Sequence, residues 1–232
     1  MEINQKYIDF IEKYEKNYYY DTVSILFNEW ANGGDLLDFI KKNYKSFNVI
    51  HWKVIFFQII SVLATIQSKY KSFRHNDLKA NNILVQVIDT SNSIYKIEYI
   101  INKVYYQLPN IGLNVMIWDF DFACIPEIVP NLKVEEEWTT KININPEKNR
   151  YYDLHYFFNT LQKKAFFPQI LTEPEIPTEI KEFVQRVVPK RYTSNDKYVA
   201  NKGRILCKKE YTTPDKLLRE DPLFKEFRLK EE

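Results

Sequence analysis

Two acidic segments carry residue types that could act on phosphate: HNDLKANN, residues 75–82, and DFD, residues 119–121. Hydropathy patterning puts the first on a loop between a long apolar helix and a β-branched strand. It puts the second at the end of another strand. Asp77 then has Lys79 two residues on and Asn82 five residues on. If the two strands pair, the Asp119 carboxylate and the Asn82 carbonyl converge on one point. One carboxylate plus a neutral oxygen suits Mg²⁺, which keeps substrate phosphates among its ligands. Asp77 is left beside that point as a base, and Lys79 as a cation for a phosphoryl oxygen. Positioning and charge neutralisation of this kind supply nearly all the catalysis in phosphoryl transfer. Taken singly, either aspartate reads as a turn or cap residue; the joint spacing carries the chemistry.

The elements that must position these groups follow from periodicity. Residues 7–20 predict a short helix with Tyr7, Phe10, Ile11 and Tyr14 on one face, and TVSILF, residues 22–27, a strand. Residues 29–34 form a polar connector. Asp35 then either caps the helix LLDFIKK or presents its carboxylate elsewhere. A long helix is expected over 51–70, apolar on two faces and therefore central to a helical lobe. Residues 90–112 read as irregular and 123–149 as a long ordered loop. Further helices are predicted at YYDLHYFFNTL, at TEIKEFVQRVV behind Pro177, and from Thr213-Pro214-Asp215 onward, with residues 191–211 as a polar surface excursion. The sum is mostly α with a few strands in the first half. His155, on an apolar helix, reads as a satisfied core residue, and Cys124 as a small buried hydrophobe.

Composition excludes other chemistries. The 232 residues, 45% hydrophobic and 28% charged, allow a sizeable core. A net charge of +2 makes no case for nucleic acid or an anionic membrane as main partner. Four glycines, Gly33, Gly34, Gly112 and Gly203, cannot form a GxGxxG turn or a Walker A loop. Two cysteines and three histidines make neither a disulfide framework nor a Cys-rich zinc site, and imply a reducing compartment. The longest apolar run, 54–66, is polar-interrupted and too short to span a bilayer. The expectation is a soluble, cytoplasmic protein.

HNDLKANN resembles the catalytic loop of eukaryotic-type protein kinases, HRDLKxxN, and WDFDFA resembles their metal-binding DFG turn. FNEWANGGDLL is similar to the kinase hinge, YYDLHYFFNTL to the helix whose aspartate buttresses the catalytic loop, and TPDKLLREDPLFKEF to the terminal helix and tail. Five segments in kinase order, over about 22–227, resemble most the Ser/Thr kinases of large cytoplasmic DNA viruses. The resemblance implies an α+β, protein-kinase-like fold: mainly the helical C-lobe, residues 29–232, with residues 1–28 as an N-lobe remnant. It implies Asp77 as catalytic base, Lys79 on the transferring phosphate, and Asn82 and Asp119 as Mg²⁺ ligands. ATP would rest its adenine on the backbone of Glu29, Trp30 and Ala31 and its ribose on Asp35, with Asn28 as gatekeeper. Asp153 would hold the catalytic-loop backbone and His75 would pack beneath it. Protein substrates are implied as partners, in a host cytoplasm or a virion.

The departures shape the expectation. Only 28 residues precede Glu29, without glycine and without a VAIK-like lysine strand, so a fragment, a split kinase completed by a partner chain, or a degenerate kinase is expected. Asn76 replaces the HRD arginine, which argues against phospho-activation through it. Asp121 replaces the DFG glycine, predicting a turn less able to flip. A large insertion at about 95–110 separates the two strands, and Asn145-Pro146-Glu147 is the nearest candidate for an APE motif. Two alternatives to a protein kinase stand: a pseudokinase scaffold, and a small-molecule phosphotransferase of the choline-kinase type, which also uses an HxD…N loop.

Overall fold

The computed structural model describes residues 5–18, 29–90, 95–194 and 197–229. The chain divides into a small unit, Met1–Trp30, and a large one, Ala31–Glu232. In the small unit, helix α1 (Gln5–Glu15) carries Phe10 and Tyr14 stacked at 6.3 Å. The strand expected at 22–27, and Asn28, lie outside the described residues.

The large unit opens on a close backbone approach. The Gly33 amide donates to the Val85 carbonyl and the Val85 amide to the Gly34 carbonyl, both at 2.9 Å. A Cβ on Gly33 would stand 2.7 Å from that Val85 oxygen, so only glycine fits. Helix α2 (Leu36–Asn43) follows, its first turn capped by Asp35, whose carboxylate accepts the Asp38 amide at 3.0 Å. Capping is thus a use Asp35 does make.

Helix α3 (Val49–Lys69) begins at Asn48 in a reciprocal cap with His51. Trp52, Phe56, Phe57, Ile60 and Leu63 are fully buried along it, as its two apolar faces require. At 21 residues it is long and apolar enough to cross a bilayer, unlike the shorter run seen in the sequence, but most of it is buried inside this protein. Gln58 sits in this apolar helix for a reason. Its amide donates to the Leu113 carbonyl and accepts from the Val115 amide, satisfying strand groups that would otherwise be stranded.

Strand β1 (Ile83–Val87), hairpin strands β2 (Lys96–Ile101) and β3 (Val104–Pro109), and strand β4 (Leu113–Ile117) come next. β1 and β4 pair antiparallel, with Val85 opposite Val115 and Ile83 opposite Ile117. The stretch expected to be irregular is largely the β2–β3 hairpin. It turns through Asn102 and Lys103, both left-handed (φ 49 and 69), as a two-residue hairpin turn demands. The hairpin docks through Tyr99 and Tyr106, whose rings lie 5.3 and 5.1 Å from Phe57.

Short helix α4 (Glu137–Lys141) interrupts the segment expected as a loop. Helix α5 (Tyr152–Leu161) is buried at every position. Short helix α6 (Gln169–Thr172), then α7 (Thr178–Val187) and α8 (Pro214–Glu220), complete the lobe. Pro177 and Thr213 stand at the starts expected of them, and the Thr213 side chain accepts the Lys216 amide. α3, α5 and α7 meet in an aromatic core, with Phe56 5.0 Å from Phe158 and 5.8 Å from Phe183. Residues 191–211 are not a surface excursion throughout: Tyr192, Val199, Arg204 and Ile205 are buried.

Candidate active site

The loop holding Asp77 is fastened at both ends. Before it, Arg74 and Cys124 exchange backbone hydrogen bonds at 3.1 and 2.9 Å. Asp153, buried on α5, then accepts the His75 and Asn76 amides at 2.8 and 2.9 Å. Burial pushes the Asp153 carboxyl up, and His75, Arg74 and these two amides pull it back. The buttressing expected of Asp153 is therefore present. His75 packs as expected, 5.2 Å from the Phe120 ring, and its Nε2 is 2.9 Å from the Trp118 carbonyl oxygen. Asn76 is left-handed (φ 65), a conformation asparagine tolerates better than most residues. Its side-chain amide donates to the Phe122 carbonyl at 3.0 Å, tying the loop to the segment after Asp119.

Asp77 sits at the centre of a donor cluster. Lys79 Nζ lies 2.7 Å and Asn82 Nδ2 3.1 Å from its Oδ2, and Asn82 Nδ2 also donates to the Asp77 carbonyl at 2.9 Å. Arg204 Nη2 holds Oδ1 at 2.5 Å. Burial, opposed by Arg204 and aided by Asp77, pushes the Tyr156 hydroxyl up to about 12. Arg204 in turn lies flat over the Tyr156 ring at 4.2 Å. Asp77, Lys79 and Asn82 thus converge as their spacing predicts.

Asp119 joins them through the backbone. The Trp118 amide donates to the Asn82 carbonyl at 3.0 Å, so the residue before Asp119 is fixed to both Asn82 and His75. Asp119 is exposed and left-handed (φ 62, ψ 67), backbone strain of the kind that collects at functional sites. Asp121, in the place of the DFG glycine, sits in the 3₁₀ turn Phe120–Phe122 and pairs with Lys133 at 2.5 Å. With Asn82 Nδ2 committed to Asp77, its Oδ1 and the Asp119 carboxylate are the hard oxygens left for a cation, a donor set that fits Mg²⁺. Among the described residues no three His, Cys, Asp or Glu side chains gather as a metal cluster. Of the expected nucleotide contacts, Asp35 and Ala31 belong to the large unit, and Glu29 and Trp30 to the small one.

Arg204 was missed by sequence reasoning. A signal existed: Gly203, one of four glycines, is followed by Ile205-Leu206-Cys207, an apolar triplet that marks a turn diving inward. Around the loop, Arg74 donates to Asn145 Oδ1 at 2.7 Å and to the Glu147 carbonyl at 2.8 Å, anchoring the Asn-Pro-Glu segment. Cys124 is buried as expected, and burial pushes its thiol up, against a weaker pull from Arg74. His155 is buried, with Nε2 2.8 Å from the Tyr192 carbonyl, and burial lowers its pKa to about 4.

Residues 3–217 match the family described as poxvirus serine/threonine protein kinase. The chain belongs to that family. A protein of Acanthamoeba polyphaga mimivirus, provisionally named a serine/threonine-protein kinase, is 48% identical over 231 residues, 98% of this chain and 49% of its own length. Serine/threonine-protein kinase 2 of fowlpox virus is 31% identical over 162 residues, covering 69% of this chain and 31% of that protein. Its vaccinia virus (Western Reserve) namesake is 34% identical over 149 residues, 62% of this chain and 30% of that protein. The chain spans about half or less of the length of these relatives. As a poxvirus-type serine/threonine kinase homologue it is kinase-like, and its mixed helix and sheet agree with that.

Proposed function

We propose that this chain transfers the γ-phosphoryl group of Mg·ATP to Ser and Thr hydroxyls of protein substrates. One observation carries the reading: Asp77 is held on a loop buttressed by Asp153, with Lys79 at 2.7 Å and Asn82 at 3.1 Å. In this role Asp77 Oδ2 orients the acceptor hydroxyl and takes its proton as the new P–O bond forms, while the bond from the γ-phosphorus to the β,γ-bridging oxygen breaks and ADP leaves. Lys79, beside it, donates to a phosphoryl oxygen where charge builds. Asn82 Oδ1 and Asp119 would hold the magnesium, which when bound neutralises the phosphate charge. Arg204 is a positioning residue that fixes the rotamer of Asp77.

In the same reading, residues 29–232 form the C-lobe, with the backbone of Glu29 to Ala31 under adenine. Asp35 reaches the ribose with the oxygen its cap leaves over. Residues 1–28 belong to the N-lobe. The substrates are proteins of the host cytoplasm or the virion. The test is transfer of labelled γ-phosphate from Mg·ATP by this chain to protein mixtures and, separately, to small alcohols. Label on Ser or Thr that disappears with Asp77→Asn supports the protein-kinase reading. Label on a small alcohol moves the chain to the choline-kinase type, and no transfer by a folded chain refutes activity of these 232 residues.

A further inference from the structure

Beside Asp77 the large unit has a cavity of about 710 Å³, whose lining includes the cations Lys79, Lys163 and Lys202 and the apolar or aromatic side chains of Tyr156, Phe166 and Val199. Among the described residues lining it there is no Asp or Glu. Asp77 borders it through Lys79, but both oxygens of Asp77 are already engaged, by Lys79, Asn82 and Arg204. The charged residues of this mostly apolar wall are therefore all cations, next to the candidate base.

Two further features point to an anion. Lys163 is half-buried just past the end of α5 and donates a hydrogen bond to the Thr193 carbonyl, which uses one of its three N–H groups. Burial pulls its pKa below the usual lysine value, a cost that an anion bound there would offset. Lys202 is left-handed (φ 70) and precedes Gly203 (φ 88). A lysine is a poor choice for that conformation, where glycine costs nothing, and strain of this kind is kept where the side chain is used. Phe166, Val199, Ala165 and Ala200 supply the apolar wall that the stem of a peptide would need.

We propose that this cavity is a subsite for an anionic side chain, carboxylate or phosphate, carried by the protein substrate near its phosphoacceptor Ser or Thr. The proposal rests on the phosphoryl-transfer reading and adds a selectivity to it.

The test uses peptides with one Ser acceptor in which one flanking position at a time is Ala, Asp, phosphoserine or Lys. Binding to the chain is read by fluorescence anisotropy without nucleotide, and γ-phosphate transfer is read in parallel. At one flanking position Asp or phosphoserine is expected to bind about tenfold or more tighter than Ala, the scale of one charge-assisted hydrogen bond. The Asp and phosphoserine arms separate carboxylate from phosphate. Lys163→Glu is expected to reverse the order, so that the Lys peptide binds better than the Asp peptide. Lys202→Gly, which relieves the left-handed lysine without adding a charge, should narrow the gap between Asp and Ala peptides with no loss of melting temperature. Equal binding of Asp, Ala and Lys peptides overturns the subsite. Transfer with no preference for acid also overturns it and leaves the phosphoryl-transfer reading intact. A binding preference without transfer supports the subsite and sinks the activity instead.

Discussion

Replacing Arg204 by leucine removes the guanidinium that holds Asp77 Oδ1 at 2.5 Å and covers the Tyr156 ring. Both charged residues are buried, Arg204 at 3% and Asp77 at 7% exposure, so solvent cannot take the missing partner's place. Breaking a buried pair from one side costs about 3–5 kcal/mol, because the other charge is stranded. Lys79 and Asn82 stay on Oδ2, which puts Arg204→Leu near the lower end, about 3 kcal/mol. Asp77→Asn strands Arg204 instead and costs a similar amount, about 3 kcal/mol. In the double variant neither charge is stranded, so the combined loss should fall short of the sum by at least about 2 kcal/mol. The assay is urea unfolding of the four proteins, followed by tryptophan fluorescence. Arg204→Lys, which keeps a cation within reach, guards against a variant too unstable to compare. Additivity within about 0.5 kcal/mol would refute the argument, since it would mean that Arg204 and Asp77 do not share the pair.

Other outcomes follow from the same geometry. His155 is buried with its pKa lowered to about 4 from 6.5, so between those values the unfolded chain takes a proton that the folded one refuses. Its contribution is full above pH 6.5 and lost as pH falls to 4, about 3 kcal/mol in all; the stability difference between wild type and His155→Gln should track that window, and a flat difference curve contradicts the buried neutral imidazole. Asp153→Ala leaves the buried His75 and Asn76 amides without acceptors, at about 1–3 kcal/mol each, and should abolish phosphate transfer, while Asp153→Asn keeps one acceptor and loses less; unchanged melting of the alanine variant would count against the buttress. Gly33→Ala sets a Cβ 2.7 Å from the Val85 carbonyl oxygen and should lower stability by about 1–3 kcal/mol in urea. Gly34→Ala meets no atom but holds φ +70, costing about 1–2 kcal/mol from strain alone.

The elements read most faithfully were those announced by short-range chemistry. α7 and α8 begin at Pro177 and Thr213, as Pro and Thr at helix starts predict, and α3 is central because apolar residues cover two of its faces. The grouping of Asp77, Lys79 and Asn82 was legible because five residues of chain cannot carry them far apart. The β2–β3 hairpin was not: its turn is Asn102-Lys103, and without a glycine there the two alternating runs lose their usual marker. The sequence marked Asp121, where a glycine is missing from the resembled motif, but gave no sign of a left-handed residue at Asp119. Asp119 is left-handed where the Trp118 amide is held by Asn82 and Asp121 lies in the following 3₁₀ turn.

By itself the sequence determined the longer helices, the helix starts at Pro177 and Thr213 and the local set of residues on the 75–82 loop. These depend on neighbours within a few residues, where periodicity and side-chain type decide the backbone. The tertiary structure alone decided the partners of that loop: Asp153, 77 residues from Asn76, and Arg204, 127 residues from Asp77. A buried charge needs a counter-charge or donors wherever the fold can bring them. No local pattern encodes which distant arginine will be folded inward, because its burial is favourable only once the aspartate it meets is already in place.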